Sequence, residues 1–243
     1  MNTKLNLAIC ISGGGTTMFE VIKACSSNRL PRIKPSLIIT SNPEASGIDK
    51  ALKAGISHQK IVSITSKNKP KSQFTEEFIT TCDKHKIDLI ALCGFIPLIP
   101  QEIISSYQGR IFNQHPGPLD NNRPGFGGKG MRGRAVHQAV ILFAKNISRV
   151  FASCATTHQV STELDTGTII GMQPVEVYQH DTAESLATRM LPSEHALVVQ
   201  TLYNYAEQGV FTTLDRKEPL IHSDELTLLE ETKKAAISHF PKG

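Results

Sequence analysis

The sequence predicts an α/β protein: a doubly wound, mostly parallel twisted sheet with helices on both faces and an antiparallel strand or pair toward the C-terminal part. Two observations carry that expectation. Short, nearly continuous apolar runs such as "LNLAICI" (5–11) and "IDLIALCGF" (87–95) fit strands buried on both faces of a parallel sheet. Between such runs lie segments with apolar residues at helical spacing, and the connections are short, the order that right-handed crossovers produce.

Taken in order, "LNLAICI" ends at "SGGG", and "TTMFEVIKAC" supplies a helix with Phe19, Val21, Ile22 and Cys25 facing inward. "PSLIITSN" reads as the second strand, and "EASGIDKALKAG" as a helix closed by Gly55. "KIVSI" is a strand, "SQFTEEFITTCDKH" a helix with Phe74, Phe78, Ile79 and Cys82 on one side, and "RIFNQ" the strand after "IDLIALCGF". "NNRPGFGGKGMRG" is too rich in glycine to be anything but loop, and "RAVHQAVILFAKN" resumes as a helix. "RVFASCATTHQV" and "GTIIGMQPVEV" are two strands joined by "STELDT", with Pro174 placing the second at an edge or bulge. Asp181 with Glu184 three later has capping-box spacing and opens a helix running to Gly209; "DELTLLEETKKAAISHF" is one more amphipathic helix.

A chain of 243 residues, 40% hydrophobic and 20% charged, is composed like a globular protein with one main core. Net charge is +4 with basic residues scattered, too weak a field for nucleic acid but suited to a phosphorylated or carboxylated small molecule. The five cysteines form no C-x-x-C pair and read as reduced core residues. No apolar run reaches the roughly 18 residues of a membrane span, and the N-terminus lacks a signal-peptide pattern, so a cytoplasmic protein with no membrane partner is expected.

In a doubly wound sheet, ligands bind beyond the carboxyl ends of the strands. Three candidates fall there: the turn at 12–17, the pair Asn113 and His115, and the segment around Gly94 and Phe95; all three are expected to converge on one cleft. "SGGGTT" reads either as an anion-binding helix start or as a tight turn needing positive φ, and it meets neither the P-loop nor the dinucleotide pattern. Asn113 and His115, two apart at a strand end, share a face and can stabilise an oxyanion and move a proton, although a lone His is more often structural. Asp165 in "HQVSTELDTG" either holds that His or merely begins a turn.

Together the segments "AICISGGGTTM", "IITSNPEASGIDKALKAGI", "LIALCGFIPLIP", "GRIFNQHPGPL", "GGKGMRGRAVHQAV", "TTHQVSTELDTGTII" and "SEHA" resemble the phosphoribosylglycinamide formyltransferase family over about residues 5–210. The resemblance implies a formyltransferase catalytic domain over 1–210, with 211–243 a C-terminal helical extension packed on it. It also implies transfer of the formyl group of 10-formyltetrahydrofolate to the amine of glycinamide ribonucleotide, with no metal. Asn113 and His115 match the pair that polarises the formyl oxygen, and Asp165 the carboxylate that assists proton transfer. Gly14, Gly15, Thr16 and Thr17 match the phosphate loop, Glu194 the ribose contact and Lys71 a basic residue near the cleft. Phe95, Ile96, Pro97, Leu98 and Ile99, with Glu163 and Leu164, match the pterin-contacting segments. The implied partners are these small molecules, in a monomer or homodimer.

The sequence departs from many members of that family in "HPGPLD" with the longer "NNRPGFGG" after His115, and in Gly14, Thr17, Pro97 and Leu191; Lys129 reads equally as a substrate contact or a loop cap. The rival expectations are hydrolytic deformylation of the same folate, formylation of a sugar nucleotide, and a folate-binding relative without turnover.

Overall fold

Among the described residues of the computed structural model, 4–241 and 243, are seven strands and seven α-helices, alternating as far as β6. They are β1 (Leu5–Ile11), α1 (Thr16–Ser26), β2 (Ile33–Thr40), α2 (Gly47–Lys53), β3 (Ile61–Ser63), α3 (Lys71–Lys84), β4 (Leu89–Leu92), α4 (Gln101–Ser106) and β5 (Ile111–His115). There follow α5 (Arg134–Asn146), β6 (Ala152–Gln159), β7 (Ile169–Glu176), α6 (Ala183–Gln208) and α7 (Leu226–His239). The sheet has the order β3-β2-β1-β4-β5-β6-β7, with helices on both of its faces, as the apolar runs predict.

The chain forms two compact units, one running to Gln114 and taking in Val198–Thr212, the other His115–Leu197 with Thr213–Gly243. In the first, β1 pairs in parallel with β2 and β4, β2 with β3, and β4 with β5. From β1 the chain steps outward to β2 and β3, then returns to the other side of β1 as β4. Both faces of β1 are covered: Leu7 to Ile11 are all fully buried, which is why that run shows no alternation. Helix α1 turns a different side inward from the predicted one. Met18 and Ala24 are buried with Val21 and Ile22, while Phe19 and Cys25 are only half-buried.

In the second unit β6 and β7 pair antiparallel, with Pro174 in β7, the last strand of the order and hence an edge where a missing N–H is tolerated. Phe126, Phe143 and Phe151 pack ring on ring at centroid distances of 5.4, 5.7 and 5.1 Å, inside a core completed by α5, α7 and α6 residues such as Leu186 and Leu229. Burial of Phe126 alone contributes about 1.5–3 kcal/mol and fixes the middle of the glycine-rich loop.

The cap of α6 differs from the expected one by a residue. Ser185 N–H donates to Thr182 Oγ1 at 3.1 Å and Thr182 N–H to Ser185 Oγ at 3.0 Å, so Thr182 is the N-cap and Ser185 closes the box. Asp181 instead accepts from the Tyr178 N–H and the Ser185 hydroxyl and pairs with Arg189, and Glu184 pairs with Arg134. Sequence spacing alone does not separate two adjacent oxygen-bearing candidates for one cap.

Candidate active site

The reversal of strand order beside β1 is where a doubly wound sheet opens for ligands, and the first unit places two of the expected segments there. Ser12, just past β1, donates its N–H to Gly94 O at 3.0 Å, and its hydroxyl accepts the Ile96 N–H at 2.8 Å. The glycine turn and the 93–99 segment are thereby pinned to each other. Gly15 has φ +61°, and a Cβ there would lie 2.9 Å from Gly47 Cα, so the turn needs glycine. Of the four loop residues, Gly14 is exposed and Gly15 and Thr16 are half-open, but Thr17 is buried. Its side chain is therefore not available at the surface, which leaves only its backbone for the role expected of it. Sequence reasoning missed Lys50, whose ammonium donates to Gly14 O at 2.6 Å.

Ile96 and Leu98 are 62% and 65% exposed beside buried Phe95, with Pro97 and Ile99 between these extremes. Two adjacent large apolar side chains held in water cost free energy, which an apolar ligand face offsets. Lys71 starts α3 and meets Glu102 at 3.5 Å in an exposed pair, a surface charge of little energetic weight.

Asn113 and His115 both lie on β5 and share a face by strand alternation; Asn113 is half-buried and His115 is 3% exposed. In the second unit His115 Nδ1 stands 3.7 Å from Asp165 Oδ2, and His115 Nε2 lies 2.9 Å from the Phe126 carbonyl. That carbonyl accepts, so Nε2 carries the proton. Asp165 accepts the Gly128 N–H at 2.9 Å and faces His158 Nε2 at 3.6 Å on its other side. Asp165 turns the chain as well, at φ +57°, so the same residue shapes the turn and stands beside His115. The glycines nearby are required by contact: a Cβ on Gly117 would lie 2.2 Å from Val136 Cγ1, and one on Gly127 2.6 Å from Asp165 Cβ.

The protonation states follow from burial and neighbours. Burial, the largest influence, pulls His115 below its ordinary value, Asp165 and the Phe126 carbonyl pull it back, and His158 and Lys233 push it down again. Burial would raise Asp165, but His115, His158 and the Gly128 N–H together hold it well below the usual carboxylate range. At neutral pH the couple is a neutral ring beside a carboxylate, an arrangement able to accept a proton.

His158 is the member that sequence reasoning missed. Its position at a register shift between Thr157 and His158 in the β6–β7 pair, where a bulge re-aims side chains, leaves no signature in the sequence. Glu194 is 8% exposed, not the solvated carboxylate that its residue type suggests. Glu163 and Leu164 are exposed in the turn that ends at Asp165, and Lys129 is exposed.

Fold and couple define a class: a doubly wound α/β protein with a buried pair of His and carboxylate at the end of a central strand. Within that class, residues 5–202 match the family model described as Formyl transferase, and the chain belongs to that family. Proteins named "Phosphoribosylglycinamide formyltransferase, chloroplastic" from Vigna unguiculata and Arabidopsis thaliana are 34% and 32% identical over 219 and 205 residues, or 90% and 84% of this chain. The chain spans 66% of the length of each of them. A crystal structure of phosphoribosylglycinamide formyltransferase from Brucella melitensis superposes with a TM-score of 0.71 at 30% identity, covering 87% of this chain and 100% of that one.

Proposed function

We propose that the protein transfers the formyl group of 10-formyltetrahydrofolate to the amine of glycinamide ribonucleotide, giving formylglycinamide ribonucleotide and tetrahydrofolate. The buried His115–Asp165 couple at the end of β5 carries this reading. The amine nitrogen attacks the formyl carbon, and the carbonyl electrons move onto oxygen. Asn113 and His115 donate to that oxyanion, and the bond from carbon to the folate nitrogen breaks as the tetrahedral intermediate collapses. Asp165, ionised and beside a neutral imidazole, assists the passage of the amine proton to the departing folate nitrogen. The Nε2–H now bonded to the Phe126 carbonyl is the donor for which the formyl oxygen competes.

The remaining roles follow the chemistry of each position. The N–H groups of Gly14, Gly15, Thr16 and Thr17, at the start of α1, take the phosphate. Glu194, a desolvated carboxylate, accepts from the ribose hydroxyls. Phe95, Ile96, Pro97, Leu98 and Ile99 and the Glu163–Leu164 turn take the pterin, and Lys71 adds positive charge. Catalysis resides in 1–210 and support in 211–243, a division that the extent of the family match favours. The test is turnover by His115→Ala and Asp165→Asn. Each is expected to lower kcat by roughly 100-fold or more while the affinity for the nucleotide stays within about twofold. Wild-type rates in both would remove the couple from the mechanism.

A further inference from the structure

The loop 120–133 holds both members of the couple. Its Phe126 carbonyl meets His115, and its Gly128 N–H meets Asp165. Five glycines make this segment costly to order, and its own regular structure is one bridge between Asp120 and Arg123.

Phe126 anchors its middle in the core, and a second set of fastenings comes from beyond residue 202, where the family match ends. Leu220 N–H donates to Asp120 Oδ2 at 2.8 Å, and Arg216 Nε to Leu119 O at 3.0 Å. Arg123 returns a bond to Arg216 O at 2.9 Å, and Asn121 Nδ2 donates to Leu214 O at 2.7 Å. Farther along, Lys233 Nζ reaches Gly125 O at 3.4 Å, one residue before the carbonyl that holds His115. The side chain of Ile237 lies against Gly130 so closely that a Cβ there would stand 3.0 Å from it, and Arg132 donates to Pro241 O at 3.2 Å.

We propose that residues 214–241 clamp the glycine-rich loop onto His115 and Asp165, with Arg216 and Lys233 as positioning residues for the couple; its bearing on turnover rests on the formyl-transfer reading. Neither side chain touches the couple. Each fixes a backbone carbonyl of the segment 119–125 that leads into the one holding it. A misplacement of about 1 Å at such a distance costs up to roughly 100-fold in rate.

The test uses the full chain carrying Arg216→Met and Lys233→Met together. Both side chains are partly solvent-exposed, so the core is left intact, and Lys233→Met alone serves if the pair fails to fold. Histidine-selective nitrogen NMR of the ligand-free protein reads the His115 ring. Wild type should show a protonated Nε2, and the variant should lose that fixed tautomer, while Lys233→Arg restores it. In the turnover assay kcat should fall roughly 10- to 100-fold with both KM values within about twofold of wild type. A variant whose His115 signals match those of wild type overturns the clamp. Absence of turnover in wild type itself would overturn the formyl-transfer reading instead, and the NMR comparison would still decide the clamp.

Discussion

His115 stands between two acceptors, the Phe126 carbonyl and Asp165, which favour its cation, and inside a buried shell that favours the neutral ring more strongly. Its titration by NMR is therefore expected below 6.5, and Asp165→Asn should lower it further, because the replaced carboxylate was one of the groups pulling it up. A midpoint that rises in Asp165→Asn would contradict this balance. At this scale the sequence was a partial guide. Residue type and the two-residue spacing on β5 singled out Asn113 and His115, and residue type brought in Asp165. The carbonyl of Phe126 and the imidazole of His158 reach the couple through a loop and a bulge, neither of which leaves a periodic signal. Burial of Thr17 and Glu194 was likewise hidden, since it is set by packing from distant segments.

At the scale of elements, the start of α1 rests on a left-handed Gly15 pressed against Gly47, and Gly15→Ala should cost about 1–3 kcal/mol in urea denaturation. A loss below about 0.5 kcal/mol would show that the turn relaxes without strain. The cap of α6 offers a second measurement. Thr182→Ala should lose about 1 kcal/mol, and Glu184→Ala, which removes only an exposed pair with Arg134, less than that. The reverse ranking would restore Asp181 and Glu184 as the cap. Element type was legible for most of the chain because β1 and β4 are apolar on both faces and α5 carries a clean apolar stripe. Helix α4 was not singled out, as its six residues hold one buried side chain, Ile103. The inward face of α1 was displaced by one residue at Met18 and at Ala24, because an apolar stripe with few polar breaks leaves its centre undetermined.

For the whole molecule, His137 links pH to stability. It is buried on α5, its Nδ1 has no hydrogen-bond partner among the described residues, and burial, helped by His115, pulls it down to about 4. The unfolded chain takes up its proton near 6.5 and the folded chain only near 4, so stability is full above 6.5 and falls as pH drops between those values, by about 3 kcal/mol in all. His137→Leu should be similar to wild type at pH 7 and more stable at pH 4.5; a constant difference between the two proteins across that range would exclude the linkage. The central claim belongs to this scale too, because it concerns the activity of the chain and not any one residue or helix. Its most direct test is the absorbance change of 10-formyltetrahydrofolate incubated with the purified protein, with and without glycinamide ribonucleotide. Loss of the formyl group that depends on the amine and yields formylglycinamide ribonucleotide is the expected result, whereas equal loss without the amine, or none in either mixture, would contradict formyl transfer to this acceptor.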